Sequence, residues 1–184
     1  AFTFFLKHLL GLEPPQLPPE RMEPADLGLV CHQVLAGLYR RCREKGVSVR
    51  EDLVSACRLL DEELEKVFNE ELRLQLGLSR ALAAVYRDEV RELVGRLLRE
   101  RPEAEGFSGL EPRFFELAFG QAERDDVDPA SVSEPLRLSV EGGEVLVRGR
   151  IDRVDVSPTE EGRFGILDYK LGRQGVGLKD LKRG

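Results

Sequence analysis

The sequence predicts an α+β chain, or an α/β chain if further helices follow the last strand, and two observations lead to this prediction. Up to about residue 100, apolar side chains recur every three or four positions, which is the spacing of amphipathic helices. From Gly106 onward they alternate with polar residues, which is the spacing of half-buried strands. Helices that precede an antiparallel sheet are typical of this fold class.

Three helices are predicted, over residues 25–46, 50–77 and 79–101. Asp26 is the expected N-cap of the first helix, and Gly46 is its expected end. Ser79 is placed to cap the third helix and Pro102 to end it, with Val85 on the buried stripe between them. All three helices therefore have one apolar face to bury.

Four strands are predicted, over residues 112–120, 135–143, 144–157 and 163–172. Pro158 and Gly162 lie in the turn-rich link between the last two strands. Symmetric pairing about this link sets Val156 against Phe164 and Val154 against Ile166. The same register sets Asp152 against Asp168.

Two carboxylates opposed in this way repel each other, so a positive group is expected between Asp152 and Asp168. A hard divalent cation such as Mg²⁺ prefers oxygen ligands and is often held by one or two carboxylates. Lys170 shares the face of Asp168 and adds a second positive charge. The simpler interpretation is a surface hairpin whose ion pairs join Asp152 to Lys170, or Asp168 to Arg150.

The composition of the chain limits the classes of protein to which it can belong. A chain of 184 residues that is 41% hydrophobic and 34% charged has the composition of a globular domain. A net charge of −6 argues against indiscriminate nucleic-acid binding over the whole surface, although basic residues gather between 163 and 184. No apolar run is long enough to span a membrane, and the three cysteines match no zinc or disulfide pattern. We therefore expect a cytoplasmic protein without a membrane partner.

The segments GRIDRVD and ILDYKLG, joined by a short loop, resemble the signature of the PD-(D/E)xK nucleases. They are most similar to the RecB-type branch, which includes the helicase-linked nucleases RecB and AddB and the nucleases of CRISPR adaptation. LGLVCHQVL resembles the histidine motif of that branch, with Gly28, His32 and Leu35 at the matching positions. FFLKHLLGLEPP and EPRFFELAFG also resemble AddB-like segments, so the resemblance covers most of the chain.

The resemblance implies a restriction-endonuclease-like core, a mixed sheet with preceding helices. It implies one nuclease domain over residues 1–184, with a helical part (1–105) that carries the histidine motif and a β-rich catalytic core (106–184). RecB-type domains continue into a helix with a Gln-x-x-x-Tyr motif, which this sequence lacks. We therefore expect the core to be incomplete at its C-terminus and the sequence to be a fragment of a longer protein.

Carried over residue by residue, the resemblance makes Asp152 and Asp168 carboxylate ligands of a metal and Lys170 the catalytic lysine. His32 would be an additional metal ligand, and the backbone carbonyl of Tyr169 could also face the ion.

Three further acidic residues are not expected to bind the metal. For Glu116 a structural role or a role on the DNA path is expected rather than metal binding. Asp155 and Asp61 fit no part of the motif, and both are expected to be solvated.

The function implied by the resemblance is a Mg²⁺-dependent DNA nuclease, with Mn²⁺ as a possible substitute. It would hydrolyse phosphodiester bonds, act as an exonuclease in recombination and repair, and work with a helicase domain or subunit. The alternative is a catalytically silent nuclease-fold module that binds DNA or supports a helicase–nuclease complex. The cysteines are in the wrong places for the iron–sulfur cluster of some AddB-like members, so that cofactor is not expected.

Overall fold

A computed structural model of the chain describes residues 21–100, 109–120 and 126–170. Within these ranges the helices are α1 (Pro24–Lys45), α2 (Leu53–Val67), α3 (Glu70–Gln75) and α4 (Arg80–Glu100). The strands are β1 (Glu111–Phe119), β2 (Leu136–Val140), β3 (Gly143–Val147), β4 (Gly149–Val156) and β5 (Phe164–Leu167). Helices followed by antiparallel strands confirm the predicted fold class.

The first helix starts one residue earlier than predicted. Pro24 occupies its first turn, where a missing backbone N–H costs nothing. Glu23 is the N-cap, without a side-chain hydrogen bond, so the prediction that Asp26 caps the helix is wrong and Asp26 lies in the first turn instead. Gly46 ends the helix in the left-handed conformation, as predicted, with φ of 65°.

The predicted second helix is two helices, because the chain turns at Phe68 and Asn69. The Asn69 side chain accepts a hydrogen bond from the Leu72 N–H at 2.9 Å, which starts α3. Ser79 caps α4 as predicted by accepting from an N–H one turn later. Val85 on α4 is 60% exposed, so its predicted burial is wrong. Pro102 lies outside the described residues.

The strands form two separate antiparallel sheets. One has the order β1-β4-β5, and the other is the β2-β3 hairpin. The single strand predicted over 144–157 is divided at Arg148, because β3 pairs with β2 whereas β4 pairs with β1 and β5. A Cβ atom on Gly149 would lie 2.9 Å from the Phe119 ring, so glycine allows the close approach where the chain changes partner.

The predicted register of the β4-β5 hairpin is confirmed for two of its three pairs. Val156 pairs with Phe164 and Val154 with Ile166, and the last pair of the ladder is Arg153 with Leu167. The chain leaves the strand immediately afterwards, so the predicted pair of Asp152 with Asp168 does not form, and the strand predicted over 163–172 ends at Leu167.

One core joins the helices to the sheet. α1 packs against α2 and α4 on one side and against β1 and β4 on the other. Val34 and Leu38 of α1 are fully buried in the same cluster as Phe115 of β1. α1 therefore covers the two strands that carry the acidic residues described below. Within the described residues, no helix has the length and apolar character needed to cross a membrane.

Candidate metal centre

His32 is the residue of α1 that meets the acidic strands. It lies at the edge of the buried stripe of α1 and is half-buried. Its Nδ1 atom lies 3.5 Å from Oδ1 of Asp152 and 3.6 Å from Oε1 of Glu116. The structure therefore brings His32 and Asp152 together, as the sequence motif implies.

The two carboxylates come from neighbouring strands. Phe115 pairs with Arg153 and Leu117 with Ile151, so Glu116 of β1 and Asp152 of β4 occupy opposed positions between these pairs. Glu116 has φ of 58°, the left-handed region that non-glycine residues rarely adopt. Because of this local break in the strand geometry, Phe115 and Glu116 are both buried although they are consecutive.

The backbone of Tyr169 forms hydrogen bonds with both Asp152 and His32. Its N–H donates to Oδ2 of Asp152 at 2.6 Å. Its carbonyl oxygen lies 3.0 Å from Nε2 of His32 and accepts the hydrogen bond of that ring nitrogen. A histidine that binds a metal through one nitrogen commonly donates the other N–H to a backbone carbonyl, which orients the ring. The Tyr169 carbonyl thus contacts the imidazole on the side away from the carboxylates.

The carboxylates and His32 shift one another's pKa values. Contact with Asp152, and then with Glu116, raises the pKa of His32 to about 10, although burial acts in the opposite direction. Burial is the largest influence on the pKa of Asp152 and acts upward, but contacts with His32 and the Tyr169 N–H outweigh it, so the pKa is lowered. Without a metal the two carboxylates therefore favour a protonated His32, and a cation that binds Nδ1 would displace that proton.

The expected partners of Asp152 are only partly in place. Asp168 does not join the cluster, because the ladder ends one residue earlier. Its carboxylate instead forms an ion pair with Nζ of Lys170 at 2.9 Å, and the two side chains are 57% and 62% exposed. Lys170 still acts on Asp152 through space, since its charge contributes to the lowered pKa of that carboxyl.

Glu116 lies in the cluster, which the sequence did not predict. Its carboxylate stands among the ligand atoms of His32 and Asp152, and all three atoms lie within 4.8 Å of one another. Glu116 is therefore a candidate metal ligand, although a structural role or a role on the DNA path was expected from the sequence. The signal that could have revealed it was the register of β1 against β4, which local sequence patterns do not determine.

The donor set fits a small divalent cation. Oε2 of Glu116 is buried and accepts no hydrogen bond of good geometry, although Nε of Arg150 forms an ion pair with it at 2.9 Å. Arg150 therefore neutralises Oε2, and the other oxygen of the carboxylate, Oε1, is the one that lies beside His32. The two carboxylates are ligands that Mg²⁺ and Mn²⁺ prefer, and the imidazole nitrogen is a ligand for first-row divalent metals.

Asp155 also differs from its expectation. It is 2% exposed rather than solvated, and it binds the Arg153 guanidinium through both carboxylate oxygens, at 2.5 and 2.6 Å. Asp61 is about half exposed and pairs with Arg91 on the helical surface, so its expected solvation is confirmed.

Known proteins with similar sequences indicate the family of the chain. The family model of the PD-(D/E)XK nuclease superfamily matches residues 1–184. The chain is 29% identical over 184 residues to the B subunit of the ATP-dependent helicase/deoxyribonuclease of Pelotomaculum thermopropionicum, covering 100% of this chain and 15% of that protein. It is 31% identical over 174 residues to the protein of the same name from Lacticaseibacillus casei, covering 92% of this chain and 14% of that protein.

A shorter match has higher identity. Over 75 residues the chain is 41% identical to the protein of the same name from Symbiobacterium thermophilum, covering 40% of this chain and 6% of that protein. The chain thus spans at most 15% of the length of these relatives. The signature strands, the histidine on α1 and the family match lead to one conclusion: the chain belongs to the PD-(D/E)XK nuclease superfamily.

Proposed function

We propose that this chain is a metal-dependent DNA nuclease domain that hydrolyses phosphodiester bonds. The observation that carries the proposal is the convergence of His32, Glu116 and Asp152, whose candidate ligand atoms all lie within 4.8 Å of one another. Membership of a nuclease superfamily gives this cluster its expected chemistry.

In this proposal Nδ1 of His32 and the carboxylates of Asp152 and Glu116 hold Mg²⁺ or Mn²⁺, and Asp168 supplies a further oxygen ligand. The bound ion would polarise a phosphate oxygen and lower the pKa of a coordinated water. Tyr169 keeps His32 oriented by accepting the hydrogen bond of Nε2 through its carbonyl. A direct ligand role for that carbonyl is the less favoured arrangement, because the carbonyl already accepts from His32.

Lys170 is the proposed catalytic lysine. Tyr169 is anchored to Asp152 and His32 through its backbone, so the residues on either side of it border the cluster. The Lys170 ammonium, 2.9 Å from Asp168, would orient the attacking water or offset charge that develops on the phosphate.

The wider setting is proposed from the relatives, whose shared name describes one component of an ATP-dependent helicase/deoxyribonuclease. We infer that the chain acts on DNA as an exonuclease in recombination and repair, together with a helicase domain or subunit. We also infer a cytoplasmic location, which fits three cysteines that are all free thiols. The common core of α1 and β1 supports one nuclease domain over residues 1–184.

The test separates metal binding from cleavage. Calorimetric titration with Mn²⁺ is run beside a DNA cleavage assay on wild-type protein and on the Asp168→Ala and Lys170→Ala variants. Asp168→Ala should weaken Mn²⁺ binding and cleavage together, because one of the four proposed ligands is removed. Lys170→Ala should retain Mn²⁺ but lose a factor on the order of 10² or more in cleavage rate, the loss typical of removing one transition-state donor.

Lys45→Ala is the matched control, because Lys45 is also an exposed lysine in an ion pair with an exposed acidic side chain. It should leave both Mn²⁺ binding and cleavage unchanged. If the wild-type protein binds DNA but neither binds Mn²⁺ nor cleaves, the nuclease proposal is wrong and the silent-module alternative takes its place.

A further inference from the structure

We propose that Arg153 is a positioning residue for the metal centre and that it acts through the phenol of Tyr169. The inference rests on the proposed function, because it concerns how the same ligands are held in place.

Arg153 is a buried residue whose guanidinium contacts two tyrosines in addition to the aspartate of its ion pair. Its Nε and one terminal nitrogen bind both oxygens of Asp155, and its side chain is 13% exposed. Its other terminal nitrogen donates to the phenol oxygen of Tyr169 at 3.2 Å. Its guanidinium also lies over the ring of Tyr39, 4.5 Å from the ring centroid. Asp155 neutralises the charge, and the remaining contacts fix the two tyrosines.

Tyr169 links Arg153 to the proposed metal ligands, because the two ends of the tyrosine have different partners. The phenol end is bound by Arg153, whereas the backbone N–H and carbonyl bind Asp152 and His32. The Tyr169 ring also meets the His32 ring edge-to-face, with centroids 5.9 Å apart. Because the Tyr169 ring is held at its hydroxyl, the positions that the Tyr169 backbone can adopt are restricted. The Arg153 contact therefore restricts the hydrogen bonds that orient two metal ligands.

The contact with Tyr39 extends the same restraint to the other elements. Tyr39 and His32 are seven residues apart, two turns of α1, and so share a helix face. Tyr39 stacks on Phe115 with centroids 5.5 Å apart and an interplanar angle of 4°. Phe115 directly precedes Glu116 in β1. Arg153 thus contacts, directly or through one ring, each element that contributes a residue to the cluster of His32, Glu116 and Asp152: α1, β1 and β4.

A purely structural role makes a different prediction. If Arg153 only neutralises Asp155, loss of the contact with the Tyr169 phenol should change stability slightly and leave the metal centre unaffected. A positioning role predicts a loss at the metal centre that exceeds what a comparable hydrogen bond elsewhere would produce. The two roles are therefore separated by comparing two tyrosine hydroxyls.

The experiment uses Tyr169→Phe and, as its matched control, Tyr86→Phe in the full-length protein. Tyr86 also has a hydrogen-bonded hydroxyl, which accepts from the Met22 N–H at 2.7 Å, and it packs in a separate apolar cluster. Both substitutions keep the aromatic ring and remove one hydroxyl. The readouts are Mn²⁺ affinity by electron paramagnetic resonance and, without metal, amide hydrogen exchange of the peptide covering residues 166–170.

Tyr169→Phe should weaken Mn²⁺ binding roughly tenfold and speed exchange in 166–170 by a similar factor, the change expected when one hydrogen bond to a charged group is lost. Tyr86→Phe should stay within about twofold of wild type in both readouts. Arg153→Lys keeps the charge but not the planar fork of donors. In that background Tyr169→Phe should change the Mn²⁺ affinity less than about twofold, because the partner of the phenol is already lost.

The inference is overturned if Tyr169→Phe and Tyr86→Phe give the same Mn²⁺ affinity, or if the effects of Tyr169→Phe and Arg153→Lys simply add. A wild-type protein that binds no Mn²⁺ overturns the proposed function and with it this inference. A wild-type protein that binds Mn²⁺ beside a Tyr169→Phe variant that binds it equally overturns the inference alone.

Discussion

Replacing Asp155 with alanine leaves the buried guanidinium of Arg153 without its carboxylate. The pair is bidentate, with contacts of 2.5 and 2.6 Å, and Asp155 is 2% exposed. Removing one partner of a buried ion pair costs about 3–5 kcal/mol, because the other charge stays desolvated. For a domain of 150–250 residues each kcal/mol lowers Tm by roughly 2–4 °C. Asp155→Ala should therefore lower Tm by roughly 6–20 °C.

The chain offers a matched control in Asp61, which pairs with Arg91 in a similar two-contact geometry at 2.5 and 3.1 Å. Both of those side chains are about half exposed, so solvent screens the pair and its loss should cost about 1 kcal/mol or less. The assay is calorimetric unfolding of wild type, Asp155→Ala and Asp61→Ala in the same buffer. Equal Tm losses for the two variants would refute the reasoning, because burial is the feature that the comparison is designed to isolate.

Two further predictions concern packing and thiol chemistry. Gly37→Ala should destabilise the protein by about 1–3 kcal/mol in urea unfolding, because the new methyl group would overlap a buried glutamate side chain of α2. Gly95→Ala, where the nearest atom is the tip of an exposed arginine, should instead be neutral or stabilising by up to about 1 kcal/mol, and the opposite order would contradict this view of the helix packing. Iodoacetamide at pH 8 should modify Cys57, which is partly exposed, and spare Cys31 and Cys42, since burial raises the pKa of both thiols to about 11. Mass spectrometry checks this, and rapid labelling of either buried thiol before unfolding would contradict it.

Much of the fold follows from local patterns in the sequence. The stripe of α1, its end at Gly46 and the register of the β4-β5 hairpin were all predictable, because each depends on residues close together in the chain. The division between α2 and α3 was also signalled, since Asn69 before two glutamates is a typical helix start. The break at Arg148 was not, because it depends on which distant strands pair with each half.

The candidate site was predictable in part for the same reason. His32 and Asp152 were found through motifs with fixed spacing, and the structure brings them together. Glu116 was missed because its place depends on a long-range register and on a left-handed backbone conformation, and alternation reveals neither. Asp155 was missed because an aspartate on a strand is usually solvated, and only a buried arginine two residues away reverses that preference. Asp168 departs from expectation because the ladder ends one pair before it.

The most direct test of the central claim is pulsed electron paramagnetic resonance of Mn²⁺ added to the protein. Coordination by His32 predicts modulation from a directly bound imidazole nitrogen, one high-affinity Mn²⁺ per chain, and loss of that nitrogen signal in His32→Gln. Glu116→Gln should keep the nitrogen signal but weaken the affinity, because one carboxylate ligand becomes neutral. Bound Mn²⁺ without a nitrogen signal in the wild-type protein, or a signal that persists unchanged in His32→Gln, would contradict the account.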